Sequence, residues 1–443
     1  MSHTAKLHSS HAQPTDVIIV GAGVIGTSIA LSLSRAGFTT LVLDRNHAPG
    51  QGSTAASSAV VRFNYSVFDS VAAAWEAKLR WKDWTDHLGE VDPDGMARFR
   101  RTGMVALDVD LAPKARIAEL FDRTGVPYED WTADILAERI PGLDNGRYWP
   151  PRALSDDTFW DESADVLGAL WTPDAGYVDD PSLAARNLAH ASAALGADFR
   201  FGSSVTGVNV VSGRICGVEV DGRETLSAPI VVNAAGPWSA GLNALAQATD
   251  DFTITTRPMR QEVHHVTATD GYVVGGGPII ADMDLGTYIR PATGNALYIG
   301  GTEPECDELQ WLSDPESAKM RPTQQVFDSQ VARAAKRLPD LAVPNRPSGI
   351  VGVYDVSSDW TPIYDRTEID GYYVAIGTSG NQFKTAPVIG DLMAEIITAV
   401  ENGHDHDGSP VQYSAPRSGL SIDTGTYSRK RPINPDSSGT VMG

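Results

Sequence analysis

The apolar positions near the start of the chain change period twice within a short stretch. "VIIV" (Val17 to Val20) is an unbroken apolar run bounded by polar residues and glycine, the signature of a strand buried on both faces. From about Val24 to Ala36 the apolar residues return at helical spacing, and Gly37 stops them. A second apolar run, Thr40 to Leu43, ends in Asp44. The pattern predicts a strand, turn, helix and strand within about 30 residues, a complete βαβ unit.

Further along, Ser70 to Leu88 has helical spacing, and its Trp75, Trp81 and Trp84 read as core packing rather than a stacking platform. "DPSLAARNLAHASAALGADFRF" reads as helix then strand. "SSVTGVNVVSGRICGVEVDG" and "SAPIVVNAAGP" read as short strands joined by glycine-containing turns. Thr253 to Glu303 is rich in Val, Ile, Thr and Tyr and predicts an antiparallel sheet. "GYYVAIGTSGNQFKTAPVIGDLMAEIITAVENG" is another strand, glycine turn and helix. No internal repeat is present. After Gly403 hydrophobic residues thin out, which predicts an extended tail, 404–443, wrapping the surface or a partner. His404 and His406 with Asp405 and Asp407 read as a solvated linker in preference to a metal site, because their spacing fixes no geometry.

With 443 residues the chain exceeds one simple core, so two domains are expected, and a 42% hydrophobic fraction fits a globular protein. The formal net charge of -21 argues against nucleic acid and anionic lipid as partners, although a locally positive pocket remains compatible with a small anion. Cys216 and Cys306 are the only cysteines and form no CxxC pair, which points to a reducing, cytoplasmic location. "MSHTAKLHSSHAQPT" lacks the charged start and apolar core of a secretory signal, so 1–13 is expected to be a disordered tail. No apolar run reaches the roughly 18 residues of a membrane helix, so no membrane insertion is expected.

Gly21, Gly23 and Gly26 spell G-x-G-x-x-G at the strand-to-helix turn. The first glycine makes the tight turn, the second admits a pyrophosphate to the backbone, and the third lets helix pack on sheet. The helix N-terminus then offers free N–H groups and partial positive charge. Asp44 ends the second strand, where an acid accepts hydrogen bonds from ribose hydroxyls and disfavours a 2′-phosphate. Strand, helix, second strand and acid together indicate a dinucleotide; the motif leaves FAD and NAD open.

"GSTAASSAVVRFNYS" (Gly52 to Ser66) is a run of small residues without charge until Arg62. This loop, "VVNAAGPWSAGL" (Val231 to Leu242) and "GVYDVSSDWTPIYDRTEIDGYYVAIGTSGNQFKTAPVIGDLMAEII" resemble, in family order, the D-amino-acid oxidase superfamily of flavoproteins. The likeness spans about Asp16 to Ile397 and is to the sarcosine oxidase and glycine oxidase branch, including sarcosine oxidase β-subunit-like proteins. It implies an α/β fold: a discontinuous Rossmann-type FAD-binding domain (14–90, 165–255 and 345–403) and an α+β substrate domain built on an antiparallel sheet (91–164 and 256–344).

The resemblance implies FAD contacts from Gly21, Gly23, Val24, Ile25, Gly26, Asp44 and Arg45. Further contacts are implied from Gly52, Ser53, Thr54, Ser57 and Ser58, and from Val205, Ala235, Gly236 and Trp238. Gly352, Gly380, Asn381, Gln382, Phe383 and Lys384 complete the set. The helix after Gly377 and Gly380 would aim its N-terminus at the flavin pyrimidine edge, stabilising negative charge on the reduced ring. Arg62 and Lys384 match the arginine and lysine that clamp a substrate carboxylate. Without that role, Arg62 is a surface charge beside Asp69 and Lys384 a solvent-facing residue at a helix start. Tyr288 and Tyr354 match substrate-pocket tyrosines and equally suit a core; Trp360 is a weaker candidate of the same kind. His264 and His265, adjacent on a strand, face opposite sides.

The departures matter too. The cysteine that binds flavin covalently in sarcosine oxidases corresponds to Gly352, and the histidine used by dimethylglycine enzymes falls near Ala55 or Ala56, so FAD is expected to be noncovalent. The oxygen-activating lysine corresponds to Tyr298 and a nearby active-site histidine to Thr302. Asn381-Gln382 replaces the His-Gly before the clamp lysine.

The implied activity is oxidation of a secondary or tertiary amine of an amino acid by hydride transfer to FAD N5, followed by imine hydrolysis. Sarcosine, another N-substituted amino acid, glycine or an imino acid all satisfy it. Oxygen or a carrier would take the electrons. The alternatives are a dehydrogenase using a quinone or protein acceptor, and a flavin-bearing subunit of a larger complex; the oligomeric state, homo-oligomer or hetero-complex, stays open.

Overall fold

The computed structural model describes residues 14–273 and 275–442. The predicted N-terminal tail, 1–13, lies outside the described residues.

The βαβ unit forms where its pattern places it. Strand Val17–Val20 is buried at all four residues, helix Val24–Arg35 follows, and Thr40–Asp44 returns parallel to the first strand. These strands lie inside a six-stranded sheet. Ile230–Asn233 pairs in parallel on the other side of Val17–Val20, and Tyr372–Ile376 pairs beyond it. Asp198–Phe201 and the antiparallel Ile363–Arg366 form the two edges. A sheet with its central strands apolar throughout needs cover on both faces. Helix Ala386–Glu401 supplies part of it, meeting Val24–Arg35 closely enough that a Cβ on Gly390 would lie 2.4 Å from the Ser28 carbonyl oxygen.

A second, nine-stranded sheet is organised around the long strand Thr256–Thr267, which pairs antiparallel with Ala296–Gly301 and Gly349–Ser357. The hairpin from Thr287–Ala292 to Ala296–Gly301 continues it. Ile279–Asp282 then joins Met104–Leu107 in parallel, a parallel pair in a sheet expected to be antiparallel. Helix Gln324–Arg337 covers one face, setting Phe327, Val331 and Ala334 in one apolar cluster with Ile289, Leu297 and Ile299. Its last residue, Arg337, is fully buried and pairs with Asp282 at 2.7 Å and Asp284 at 2.9 Å. Strands Ala169–Thr172 and Gly349–Ser357 begin or border the expected cofactor segments, yet both hydrogen-bond into this larger sheet.

The region read as one helix, Ser70 to Leu88, is two: Phe68–Lys82 and Trp84–Leu88. The break falls at Asp83, whose φ of -111° and ψ of 52° are not helical. Trp81 and Trp84 stack with ring centroids 4.2 Å apart, and Trp75 meets Phe63 edge-on at 5.2 Å, so all three pack as core residues.

The segment after Gly403 is more ordered than its composition suggested. It forms a small hairpin, Gln412–Ser414 with Ser421–Asp423, and buries Tyr413 and Tyr427. Arg429 is buried among Asp251, Asp365 and Asp407, and Arg431 pairs with Asp359 at 2.8 Å. Asp407, itself exposed, pairs with the buried Arg429, while His406 beside it is buried, so this stretch is tied to the protein and is no free linker. Burial of a guanidinium requires such partners, and these anchors carry the chain across to Thr440–Met442 in the interior.

Candidate functional site

Two cavities adjoin where the sheets meet. The larger has a volume of about 490 Å³ and runs from the glycine turn, past Asp44, Trp238 and the 52–58 loop, to Gly352, Gly380 and Phe383. The smaller is lined by Arg62, Tyr288, Asn381, Lys384, Val441 and Met442 among others. Ser57, Ser58, Tyr354, Gly380 and Phe383 border both, so one wall separates or joins them.

At the glycine turn the reasons for glycine differ by position. Gly21 has φ +111°, and a Cβ there would lie 2.3 Å from the Ala234 carbonyl oxygen. Gly26 does not reach the cavity; a Cβ on it would lie 1.9 Å from the Gly21 carbonyl oxygen, so it packs helix against turn. Gly23 lines the cavity, and so do Val24 and Ile25. The Val24 N–H donates to Thr54 Oγ1 at 3.1 Å, which ties the helix start to the small-residue loop. Asp44 lines the cavity and accepts from the Ala22 N–H at 2.7 Å. Beside it Arg45 lies 4.2 Å over the Trp238 ring and pairs with Glu316, which also accepts from Trp238 Nε1. Val205, Ala235, Gly236, Gly52, Ser53 and Gln382 line the same cavity.

The cavity suits a long, flat dinucleotide on the evidence of its glycines. A Cβ added at Gly52 or at Gly236 would meet nothing within 4 Å, so both present bare backbone to open space. At Gly352 an added Cβ would lie 2.9 Å from the Ala56 methyl; loop and strand touch there without any side chain able to form a covalent link. Ser53 Oγ donates to the Val353 carbonyl at 2.7 Å and holds the loop in place.

The helix Ala386–Glu401 does not itself line the larger cavity; Gly380, Gln382 and Phe383 stand between. Gly380 has φ +68°, and its missing Cβ makes room for the Tyr354 ring, which would lie 2.3 Å away. Phe383 stacks on Trp81, with centroids 5.4 Å apart.

The smaller cavity holds the two cations. Arg62 is 5% and Lys384 3% exposed. Neither is a surface charge; Asp69 instead accepts from Asp423 N–H and Thr426. Lys384 donates to Tyr65 Oη at 2.9 Å and to the Asn381 carbonyl. Arg62 donates to the carbonyls of Asn64, Met442 (3.1 Å) and Val441 (2.5 Å). Burial pushes the Lys384 amine well below its ordinary range, and neighbouring Arg62 adds to this. Burial likewise lowers Arg62. Two desolvated basic groups side by side, bonded only to neutral oxygens, form a site in which an entering anion favours the charged form of Lys384.

Tyr288 donates to or accepts from Ser58 at 2.9 Å, and Tyr354 packs over Gly380. Both border the smaller cavity, and burial raises both phenols. Trp360 lines neither. His264 is fully buried edge-on to Phe327 at 5.2 Å, while His265 faces out beside Tyr298.

Four features of this site escaped the sequence. Glu303, at the end of the Ala296–Gly301 hairpin, accepts from Gln261 Nε2 at 3.0 Å and from the Val441 N–H at 2.7 Å. Tyr65 joins Lys384 to Asn381. Arg290 donates to the Ser58 carbonyl and lies 4.0 Å over Tyr177. Val441 and Met442 sit against Arg62, where a surface tail was expected. The apolar pair "VM" closing a polar stretch was the available signal; Glu303 had none, since one acid after a strand ordinarily faces water.

Among the described residues no helix is long and apolar enough to cross a membrane. A family model described as FAD dependent oxidoreductase matches residues 16–396. The chain is 25% identical over 92% of its length to 4-methylaminobutanoate oxidase (formaldehyde-forming) of Paenarthrobacter nicotinovorans. It is 25% identical over 88% of its length to glycine oxidase of Geobacillus kaustophilus strain HTA426, of which it covers 94%. It spans only about half of some longer curated relatives, 42% and 47% in two cases. L-proline dehydrogenase from P. horikoshii superposes with a TM-score of 0.73 at 21% identity, covering 95% of this chain and 98% of that one. With the glycine turn, the 490 Å³ cavity and the family match over most of its length, the chain belongs to the FAD-dependent oxidoreductases.

Proposed function

We propose that this protein oxidises the amine of a small amino acid, an N-methyl or other N-substituted amino acid, glycine or an imino acid. The observation that carries the reading is the convergence of Arg62 and Lys384 on a small cavity sharing a wall with the dinucleotide-sized one. The printed activities of the relatives, on glycine, on 4-methylaminobutanoate and on proline, agree with an amine-bearing carboxylate.

FAD, when bound, supplies a hydride acceptor at N5 for the C–H bond beside the nitrogen, and the imine product hydrolyses in water. The protein's own contribution is positioning. Arg62 offers a planar fork and Lys384 a point charge to one carboxylate, in a pocket where low dielectric strengthens both. Tyr65, raised to about 12 by burial, stays protonated, so its hydroxyl accepts from Lys384 while donating to Asn381. Tyr288 and Tyr354 wall the reacting carbon off from water. The substrate takes the place of Val441 and Met442, whose carbonyls hold Arg62 in its absence.

The test is an anaerobic screen of amino acids read by bleaching of the flavin. Bleaching by one or more N-substituted or cyclic amino acids is expected, and none with simple amines lacking a carboxylate. Bleaching by neither class sinks the reading. Peroxide release under air then separates an oxidase from a dehydrogenase that needs a carrier.

A further inference from the structure

Val441, on the wall of the smaller cavity, places an N–Cα–C=O unit between Arg62 and Glu303, which lies behind it. Its nitrogen donates to Glu303 Oε2 at 2.7 Å, while its carbonyl oxygen accepts from Arg62 Nη2 at 2.5 Å. An α-amino acid has the same three-bond spacing between nitrogen and carboxyl oxygen. A γ-amino acid, with two more carbons between, matches that span only when folded back on itself. The segment therefore marks two subsites, and the second belongs to a residue with no role in the reading above.

We propose that Glu303 is the acceptor for the nitrogen of an α-amino or α-imino acid substrate, receiving one proton from its ammonium on Oε2. The proposal rests on the substrate reading given under Proposed function. The transfer moves one proton and no electrons: the N–H bond breaks, an O–H bond forms, and the substrate is left as the neutral amine whose lone pair assists loss of the adjacent hydride.

The surroundings suit this role. Gln261 donates to the other carboxylate oxygen at 3.0 Å and fixes its orientation, and Gln261 itself lines the larger cavity. Glu303 adopts φ +51°, a strained conformation for a side-chain-bearing residue, which turns it inward from the hairpin end. Burial raises its carboxyl to about 8; the Val441 N–H and Arg62 oppose the rise and Asp307 adds to it. Tyr288 and Tyr354 are the other titratable groups within its field, and burial keeps both protonated. Above about pH 8 the carboxylate is ionised and free to take the proton of an ammonium, and below it the carboxyl already carries that proton, so the transfer belongs to the alkaline side.

The test uses the full-length holoenzyme and three ligand sets: amino acids, the same carboxylates without nitrogen, and the same amines without carboxylate. Binding is read from perturbation of the flavin spectrum. Glu303→Gln should weaken amino acids and amines about tenfold or more, the range of a lost charge-assisted hydrogen bond, and leave nitrogen-free acids within about twofold. It should also abolish the limb near pH 8 in the rate of flavin reduction. Glu303→Asp, which keeps the charge, should recover part of the affinity. Equal weakening of all three sets, or none of any, overturns the proposal. If nitrogen-free acids bind wild type with an affinity insensitive to Arg62→Ala, the carboxylate clamp fails instead, while the amine set still reports on Glu303.

Discussion

The glycine turn and the cationic pocket are neighbours in space and opposites in construction. The turn is built from 28 consecutive positions, Val17 to Asp44, and its Gly26 packs on the nearby Gly21 carbonyl, although Gly21 itself is held against Ala234 from a distant strand end. The pocket draws on residues 62, 384 and 441, from the loop, the turn before the last long helix and the tail, with 303 from the end of the large sheet's hairpin bonded behind 441. The first is a backbone device that depends on what is missing, the Cβ atoms. The second is a side-chain device that depends on charges held without their usual partners. A local device tolerates little, because its geometry has no slack; a long-range one can be tuned one arm at a time.

The sharpest way to break the contrast is at the turn. Gly26→Val would drive its Cβ into the Gly21 carbonyl, and overpacking of this kind costs about 3 kcal/mol. The expected outcome is a protein purified without flavin, with a clear loss of thermal stability. Retention of flavin at wild-type levels would show that the turn has more slack than its backbone contacts allow.

At the pocket the largest single effect is expected from Arg62→Ala. Losing a charge-assisted contact to a carboxylate costs about 1.5–3 kcal/mol, so KM should rise roughly 10- to 100-fold with flavin content unchanged. An unchanged KM would remove Arg62 from the clamp. Val441→Pro deletes the N–H that donates to Glu303 and should loosen the segment over Arg62, lowering KM several-fold with little change in kcat. A rise in KM would mean that the segment helps to form the site rather than occupying it.

The smallest effect concerns Asp355, buried and raised to about 7, whose Oδ2 accepts the Gly377 N–H at 2.6 Å. A carboxyl raised on folding favours the native state below its unfolded value, about 3.9, and that benefit is lost as pH climbs to 7. Asp355→Asn should therefore flatten the decline of Tm across that window, while its amide oxygen keeps the Gly377 contact.

The sequence is most legible where one backbone stretch carries its own reason. Strand, helix and strand fell at Val17–Val20, Val24–Arg35 and Thr40–Asp44, because period and glycine spacing are local quantities. The break at Asp83 is not legible there, since the apolar residues on either side of it keep helical spacing. The region after Gly403 reads as a surface wrap because polar composition there hides buried arginines: Arg429 and Arg431 are interior only because Asp251, Asp359, Asp365 and Asp407 meet them.

By itself the sequence determined the dinucleotide turn, the small-residue loop with Arg62 at its end, and Lys384 at the edge of the last glycine turn. The first follows from local period and glycine spacing, and the other two from their resemblance to the family's motifs. Only the tertiary structure decided that both cations are buried beside one cavity, that Glu303 turns inward, and that Val441 lies between them. Those facts depend on long-range packing and on which charges lose their water, and neither is encoded at any single position along the chain.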